Sequence, residues 1–236
     1  MKVAVLFSGG KDSSYAIEYA QKKGYEIAYL LSVKPNRKDC FLFHYATVEH
    51  TVEQAKSLGL KHILVPCTVA DPKKEAQIVK EVVQKNPVDA VILGGVGLQE
   101  TQIKSVKEAL APLGTKVFAS HEKQDHGKIV EEMIEKGYKI KITQVASAGL
   151  IDWLGKIISK ENFEKLKTDS KKFGFHLGFE GGYADTFVLD GPIYNHKFEV
   201  IKEEKVVEND FCGHIEIKEF KVVLKEIISK SNQLAH

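Results

Sequence analysis

Short apolar runs alternate with segments of helical periodicity through the first half of the chain. Five mostly apolar runs have strand length and are bounded by turn residues, at 3–7, 27–33, 63–65, 88–93 and 117–119. Between them, apolar residues recur every three or four positions along one helix face, as in Val48, Val52, Ala55 and Leu58. Strands that alternate with such helices predict an α/β fold, in which a parallel five-stranded sheet carries flanking helices.

Capping residues support the predicted helix boundaries. Asp71 followed by Pro72 is typical of the first turn of a helix. Gly59 and Gly114 lie where two other helices should end.

The regular alternation of predicted strands and helices ends at about residue 122, and strand and helix signals are mixed after it. The predicted elements are a helix ending at Gly137, a strand over 138–145, a charged helix ending at Gly174 and a strand over 186–189. This pattern predicts a second, smaller α+β domain. We therefore divide the chain into domains at 1–122 and 123–236.

The end of the second domain combines apolar and charged residues. Two short apolar runs, 198–200 and 206–207, flank the charged residues 203–205, which we interpret as a hairpin turn. Apolar residues then alternate with charged ones over 215–220, as in a half-solvated strand, while 222–228 is compatible with helical turns. The last residues, 229–236, are expected to be frayed.

The first predicted strand runs directly into Ser8-Gly9-Gly10-Lys11-Asp12-Ser13, and a helix follows. A glycine turn between a strand and a helix aims backbone N–H groups at one point beside the positive end of the helix dipole, where a phosphate group can bind. Lys11 adds a positive charge, and Asp12 has the chemistry of a Mg²⁺ ligand. The turn therefore predicts a site for a phosphate-containing ligand.

This hexapeptide differs from the P-loop motif G-x-x-x-x-G-K-[ST] at both ends. The first glycine of that motif would fall on Val5, and Asp12 stands where serine or threonine is required. Cleavage between the β- and γ-phosphates of a nucleotide is therefore not indicated.

A second glycine-rich turn, 94–97, follows the fourth predicted strand. The carboxyl ends of parallel strands meet at one edge of a sheet, and ligands bind beyond that edge. We therefore expect Gly94 and Gly95 to face the same cleft as the first turn. A plain loop is the alternative interpretation of these glycines.

Composition limits the classes of partner. The chain has 236 residues, of which 43% are hydrophobic and 28% charged, with a net charge of +2. Positive and negative residues are interspersed, so no charge pattern favours a nucleic acid or a membrane surface. The three cysteines have no C-x-x-C spacing, which argues against a zinc-cysteine site and favours the reducing cytoplasm. The apolar run before the glycine turn is too short for a signal peptide.

Residues 180–192, EGGYADTFVLDGP, form the other dense motif. Gly181 and Gly182 allow a close approach of backbone to a ligand. Glu180 and Asp185 supply carboxylates, and Thr186 supplies a hydroxyl. A tight turn leading into a strand, with solvated acids, is the structural alternative.

Together, the two motifs resemble those of the diphthine–ammonia ligase family, the N-type ATP pyrophosphatases, which carry a PP-loop instead of a P-loop. The SGGKDS turn matches the PP-loop, and 180–192 is similar to an E-G-G-E-x-x-T-F-V-L-D-x-P signature. The resemblance extends over nearly the whole chain. It implies a PP-loop, HUP-like first domain (1–122) that binds ATP and a second domain (123–236) that holds the acceptor.

The resemblance also implies a reaction. A substrate carboxylate attacks the α-phosphorus of Mg-ATP and releases pyrophosphate, and ammonia then displaces AMP to leave an amide. In this family the carboxylate belongs to diphthine, a modified histidine of translation elongation factor 2. The implied ligands and partners are therefore ATP, Mg²⁺, ammonia and that factor. A homodimer through a sheet edge or through the predicted hairpin stays open.

Site residues follow from the resemblance position by position. Lys11, Asp12 and Glu180 are the expected catalytic residues, with Asp12 as the Mg²⁺ ligand. The residues expected to bind ATP are Ser8, Gly9, Gly10, Lys11, Asp12, Ser13, Gly94, Gly95 and His44, the last within an aromatic-histidine stretch over 41–44. The residues expected to bind the acceptor are Glu180, Gly181, Gly182, Asp185 and Thr186.

Departures from the family pattern concentrate at the acceptor end. Tyr183 replaces the second acid of E-G-G-E, and Phe179 replaces the glycine that usually precedes the first glutamate. Lys156 replaces an arginine, and lysine cannot reproduce the bidentate grip of a guanidinium group. Two alternatives therefore remain open. One is a PP-loop enzyme that adenylates a different acceptor, and the other is a nucleotide-binding module without turnover.

Overall fold

The computed structural model describes residues 1–35, 47–68, 71–94 and 100–225. These residues form two five-stranded sheets, one after the other along the chain. The strands of the first sheet are β1 (Lys2–Leu6), β2 (Glu26–Pro35), β3 (His62–Cys67), β4 (Ala90–Leu93) and β5 (Lys116–Ala119). Its helices are α1 (Lys11–Lys22), α2 (Thr51–Leu58), α3 (Pro72–Lys85) and α4 (Glu100–Leu110).

All strand pairs of the first sheet are parallel, in the order β3-β2-β1-β4-β5. This confirms the predicted α/β fold. The chain moves outward from β1 to β3 on one side of the sheet and then crosses to β4 and β5 on the other. The order therefore reverses between β1 and β4, and such a switch point is where open α/β sheets bind ligands.

Both faces of the first sheet are covered. Val3, Val5 and Phe7 pack into the apolar cluster that includes Ile17 of α1. Ala4 and Leu6 point to the opposite side, into the cluster that includes residues of α3 and α4. A strand that is buried on both faces needs apolar side chains at successive positions, which explains the continuous apolar run at the start of the sequence.

The predicted caps are confirmed. The Asp71 carboxylate accepts a hydrogen bond from the Lys74 amide at 2.9 Å, and Pro72 is the first residue of α3. Gly59 follows α2 in the left-handed conformation, at φ +66°. Gly114 has the same role after a single 3-10 turn that extends α4.

The second sheet is antiparallel and has strand β6 at its centre. Its strands are β6 (Lys139–Ala146), β7 (Ile157–Ile158), β8 (Ala184–Asp190), β9 (His196–Val207) and β10 (Cys212–Leu224). Strand β6 pairs with β7, β8 and β10. The helices α5 (His126–Glu135) and α6 (Lys160–Phe173) complete this α+β unit, and Met133, Trp153 and Phe187 lie in its core.

The two sequence interpretations near the end of this unit are wrong. Residues 203–205 are not a turn, because they lie inside the continuous strand β9. The turn is formed by 208–211, where the Asn209 side chain accepts from the amides of Phe211 and Cys212 at 2.9 Å. Residues 222–224 are strand rather than helix, while 226–236, which include the end expected to be frayed, fall outside the described residues. Most of the charged residues of β9 are exposed, so charge here marked a solvated strand face instead of a turn.

The two sheets pack against each other through α1 and α2. Glu18 of α1 is buried and accepts hydrogen bonds from Tyr138 Oη at 2.9 Å and from Lys136 Nζ at 2.6 Å. At the end of α2, the Ser57 carbonyl and hydroxyl accept from the amides of Asn195 and His196. In the described part of the chain, no helix is both long and apolar enough to cross a membrane.

Candidate active site

The turn after β1 is closely packed and depends on its glycines. Gly9 has φ +80°, a conformation that side chains other than glycine rarely adopt. A Cβ atom at Gly9 would overlap Oε1 of Gln54 and would lie 3.1 Å from the Phe187 ring. Gly10 has extended backbone and is the N-cap of α1. The turn therefore folds tightly over α2 and the second sheet.

Helix α1 directs free backbone donors toward this turn. The first intrahelical bond runs from the Ser14 amide to the Gly10 carbonyl at 3.0 Å. The amides of Asp12 and Ser13 come earlier in the helix and have no acceptor within it. These N–H groups at the positive end of the helix dipole form the expected arrangement for binding phosphate.

Lys11 and Asp12 form a charged pair at this helix end. Lys11 is only 3% exposed, and its Nζ lies 2.6 Å from Oδ2 of Asp12 and 5.7 Å from the centre of the Phe179 ring. Asp12 remains 30% exposed. Burial alone would raise the pKa of Asp12, but Lys11 and the nearby His121 outweigh burial and hold the pKa below its usual value. Asp12 is therefore ionised at neutral pH.

The second motif forms part of the wall around the first. The Lys11 amide donates to Oγ1 of Thr186 at 3.1 Å, and the Val188 amide donates to the Gly9 carbonyl at 2.9 Å. Both partners belong to β8. The structure thus brings together two segments that lie about 175 positions apart in the sequence.

Gln54 is a site residue that the sequence analysis missed. Its Nε2 donates both to the Gly9 carbonyl at 3.1 Å and to the Val188 carbonyl at 2.8 Å, so it links the turn to β8. Gln54 is fully buried. In the sequence, Gln54 is a polar residue next to the apolar positions of α2. The sequence alone does not show whether such a residue is buried or solvated.

We expect Thr186→Val to destabilise the protein by about 1–3 kcal/mol, because the buried Lys11 amide would lose its acceptor while the volume of the side chain is kept. Thr186 is 2% exposed, so water cannot replace the hydroxyl without rearrangement. The free energy of unfolding in urea measures this effect.

Thr143→Val is the matched control. Thr143 is 1% exposed, and its hydroxyl has no hydrogen-bond partner among the described residues. Replacing an unpartnered buried hydroxyl with a methyl group should be neutral or stabilising. Equal destabilisation by the two variants would contradict a specific role for Thr186.

Glu180 lies near Asp12, in a group with two histidines. Its carboxylate contacts Nδ1 of His126, and His121 Nδ1 lies 3.7 Å from Oδ1 of Asp12. The hydrogen bond with Glu180 raises the pKa of His126 above its usual value. Burial lowers the pKa of His121 to about 4, so that imidazole is neutral at physiological pH. Burial would raise the pKa of Glu180, but the contact with His126 contributes to holding it below its usual value.

The residues around Glu180 adopt an unusual backbone. Gly181 and Gly182 have φ +99° and +77°, so both occupy conformations that favour glycine. Phe179 has φ +59° although it carries a large side chain, and it is 4% exposed. Phe179 therefore occupies a left-handed position that glycine would adopt with less strain. Asp185, in β8, lies opposite Gln144 of β6 and is half-buried.

Gly94 lies where β4 ends and packs onto the start of α1. A Cβ atom there would lie 2.7 Å from the carbonyl carbon of Asp12 and 2.8 Å from the Ser13 amide nitrogen. Gly94 is thus brought to the first turn, as its place at the same sheet edge predicts. His44 and Gly95, the other two expected ATP-binding residues, fall outside the described residues.

Comparisons with known proteins match both halves of the chain. The family model for the diphthamide synthase N-terminal domain matches residues 1–116, and the model for the diphthamide synthase C-terminal domain matches residues 125–223. The chain is 27% identical to the diphthine–ammonia ligase of Mus musculus over 232 residues, which cover 89% of this chain and 86% of the mouse protein. It is 28% identical to that of Danio rerio, with 89% and 90% covered.

The diphthine–ammonia ligase of Schizosaccharomyces pombe is 29% identical over 229 residues, which cover 89% of this chain and 37% of the yeast protein. Among solved structures, the WlbA dehydrogenase of Thermus thermophilus matches with 11% identity and a TM-score of 0.28, covering 92% of this chain and 70% of that one. A similarity at that level says nothing about the fold or the activity of this chain.

Proposed function

The chain belongs to the diphthamide synthase family, and we propose that it is an ATP-dependent ligase that converts a carboxylate into an amide with ammonia. Its relatives named diphthine–ammonia ligase support this proposal. The observation that carries the proposal is the contact between the two motifs, in which the Lys11 amide donates to Thr186 at 3.1 Å. One motif supplies a phosphate-binding turn, and the other encloses it. A reaction between ATP and a carboxylate needs both ends in one cleft.

The first step suits the residues of the turn. The amides of Asp12 and Ser13, together with the Lys11 ammonium, would hold the pyrophosphate part of ATP as negative charge builds up on it. Nucleotidyl transfer depends mainly on positioning and on charge neutralisation, so the protein needs no covalent nucleophile. In this interpretation Ser8, Gly9, Gly10 and Gly94 shape the backbone around the phosphates.

Mg²⁺ fits beside this turn. Asp12 offers an ionised carboxylate that is 30% exposed and lies next to the free amides of α1. Hard oxygen donors of this kind suit Mg²⁺, which is usually held by one or two carboxylates together with phosphate oxygens. When bound, the ion would neutralise charge on the phosphates. We assign Asp12 as its protein ligand.

We further propose that residues 1–122 bind ATP and that residues 123–236 hold the acceptor. Glu180, Gly181, Gly182 and Asp185 would contact the acceptor, since they belong to the second unit. Thr186 would contact the acceptor and also support the ATP-binding turn, because its hydroxyl accepts a hydrogen bond from the Lys11 amide. This division agrees with the change from a parallel to an antiparallel sheet along the chain.

The acceptor we propose is diphthine in translation elongation factor 2, and the expected location is therefore the cytoplasm. The family to which the chain belongs supports this choice, although Tyr183, Phe179 and Lys156 alter the acceptor end. A homodimer could form through β9 and the turn that follows it, which carry Ile201 and Phe211, each 53% exposed.

Product analysis tests the activity directly. The purified chain, Mg-ATP, ammonium and diphthine-containing elongation factor 2 should yield AMP, pyrophosphate and an amidated factor in equal amounts. AMP formation that requires some other carboxylate would retain the ligase reaction and exclude diphthine. Release of ADP and phosphate, or ATP binding without any turnover, would contradict the proposed function.

A further inference from the structure

Two histidines and a glutamate converge beside the phosphate-binding turn. His121 follows β5, His126 is the first residue of α5, and Glu180 comes from the second motif. One ligand atom from each of the three residues lies within 4.8 Å of the other two. We call these three residues the His-His-Glu cluster. Amidation by the turn residues gives the two histidines no role.

His121 is the most informative member of the cluster. Its side chain is 0% exposed, yet neither ring nitrogen has a hydrogen-bond partner among the described residues. Burying a polar ring without partners is unfavourable, and such groups in proteins usually have a ligand, a water or a chemical role. The ring does have neighbours, since its centre lies 4.6 Å from that of Tyr15 and 4.8 Å from that of His126.

The donor set points to a particular class of ligand. Imidazole nitrogen suits zinc and its first-row neighbours, whereas Mg²⁺ and Ca²⁺ prefer oxygen donors. Two histidines and one carboxylate are a common set for a zinc ion that keeps a fourth position open. The cluster therefore differs in chemistry from the oxygen site assigned to Mg²⁺ at Asp12.

The geometry is compatible with such an ion after a small closure. Zinc binds nitrogen and carboxylate oxygen at about 2.0–2.2 Å, so tetrahedral ligand atoms are about 3.4 Å apart. The cluster has a maximum separation of 4.8 Å, which side-chain rotation of the order of 1 Å would close. His126 Nδ1 and Glu180 form a hydrogen-bonded pair, so these two ligand atoms would have to move apart to about 3.4 Å to bind the same ion.

We propose that His121, His126 and Glu180 bind a divalent transition-metal ion of the zinc class next to the phosphate-binding turn. The distance of 3.7 Å between His121 Nδ1 and Asp12 Oδ1 makes the metal a neighbour of the turn. Three protein ligands leave at least one coordination position for water or for an oxygen atom of the acceptor. The metal would lie at the acceptor end of the cleft, where the sequence departs from the family pattern.

Metal binding can be measured on the whole chain without ATP or acceptor. The purified protein is stripped with a chelator and titrated with Zn²⁺ against a chromophoric competitor, and the bound metal is counted by mass spectrometry. We expect one equivalent of Zn²⁺, and Co²⁺ should give a visible absorption band. Millimolar Mg²⁺ should not displace either ion, because it binds imidazole poorly. No binding of Zn²⁺, or displacement by Mg²⁺, would overturn the proposal.

Variants locate the ion. His121→Gln and His126→Gln should each weaken Zn²⁺ binding by at least about 10-fold, because losing even an outer-shell partner of a metal ligand typically costs about 10–100-fold. Glu180→Gln keeps the size of the side chain and should weaken binding while the protein remains folded. Zn²⁺ should raise the melting temperature of the unmodified protein and have little effect on that of the variants. Full binding by all three variants would show that the cluster is not the site.

His176→Gln is the matched control, because His176 is exposed and its ring centre lies 6.4 Å from that of His126 without belonging to the cluster. This variant should bind Zn²⁺ with unchanged affinity, and a loss would overturn the assignment to His121. The outcome is independent of the proposed function. Zinc binding without AMP formation would contradict only the proposed ligase function. AMP formation without zinc binding would contradict only the proposed metal site.

Discussion

Replacing Lys11 with alanine is expected to slow AMP formation from Mg-ATP by a factor of about 30 to 1000, which corresponds to about 2–4 kcal/mol of lost transition-state stabilisation. Lys11 is the buried cation at the start of α1, and its Nζ is held 2.6 Å from Asp12. A positive charge that is already in place, in a site with little water, stabilises developing negative charge more than a mobile surface charge can. Single-turnover measurement of AMP gives the effect directly.

Lys23→Ala provides the control for Lys11→Ala. Lys23 is an exposed lysine at the other end of the same helix, so its removal changes the net charge equally without touching the turn. Its AMP formation should stay within about twofold of the unmodified rate. If Lys11→Ala and Lys23→Ala behave alike, the turn after β1 does not hold the phosphates, and the ligase proposal loses its basis.

The first sheet was predictable because its central strands β1 and β4 are buried on both faces by the helices beside them. Burial on both faces gives continuous apolar runs such as Val3–Phe7, and these are distinct from the helical spacing between them. The position of the glycine turn after β1 was predictable for the same reason. A strand, a glycine turn and a helix are contiguous in sequence, so local patterns contain the information.

The second sheet was less predictable, because its long strands β9 and β10 are largely solvated. The charged residues 203–205 lie on an exposed part of β9, where side chains do not report whether the backbone turns. Asn209 gave a better turn signal, since its side chain accepts hydrogen bonds from two amides within the true turn. Polar residues identified the turn only where they bonded to the backbone.

Contacts between distant segments explain what else the sequence concealed. Gln54 and Thr186 both support the turn at 8–13, through Gly9 and Lys11, but nothing in the spacing of these residues relates α2 or β8 to it. The His-His-Glu cluster likewise joins two segments, with His121 and His126 in the segment after β5 and Glu180 in the second motif. Phe179 shows a further limit, because only the backbone reveals that this buried aromatic residue has φ +59°. Such features arise from tertiary packing and leave no periodic pattern.

Gly94→Ala is expected to destabilise the protein by about 3 kcal/mol or more and to abolish most ATP-dependent turnover. The new Cβ atom would lie 2.7–2.9 Å from Asp12 and Ser13, and two of the three atoms it meets belong to the backbone. A flexible side chain can move away from such an overlap, whereas the first turn of a helix moves only as a unit. Relief of the overlap would shift the amides of α1 and separate them from the end of β4.

Gly24→Ala separates this steric effect from the general effect of replacing a glycine. Gly24 has φ +66°, but apart from its chain neighbours no atom of the described residues lies within 4 Å of the position that the new methyl group would occupy. Only backbone strain of about 1 kcal/mol is therefore expected. Unfolding in urea gives the stability of both variants, and AMP formation gives their activity. Gly94→Ala should lose more in both measurements. If it matched Gly24→Ala in stability and kept its activity, the close packing of β4 against α1 would not be what positions the phosphate-binding turn.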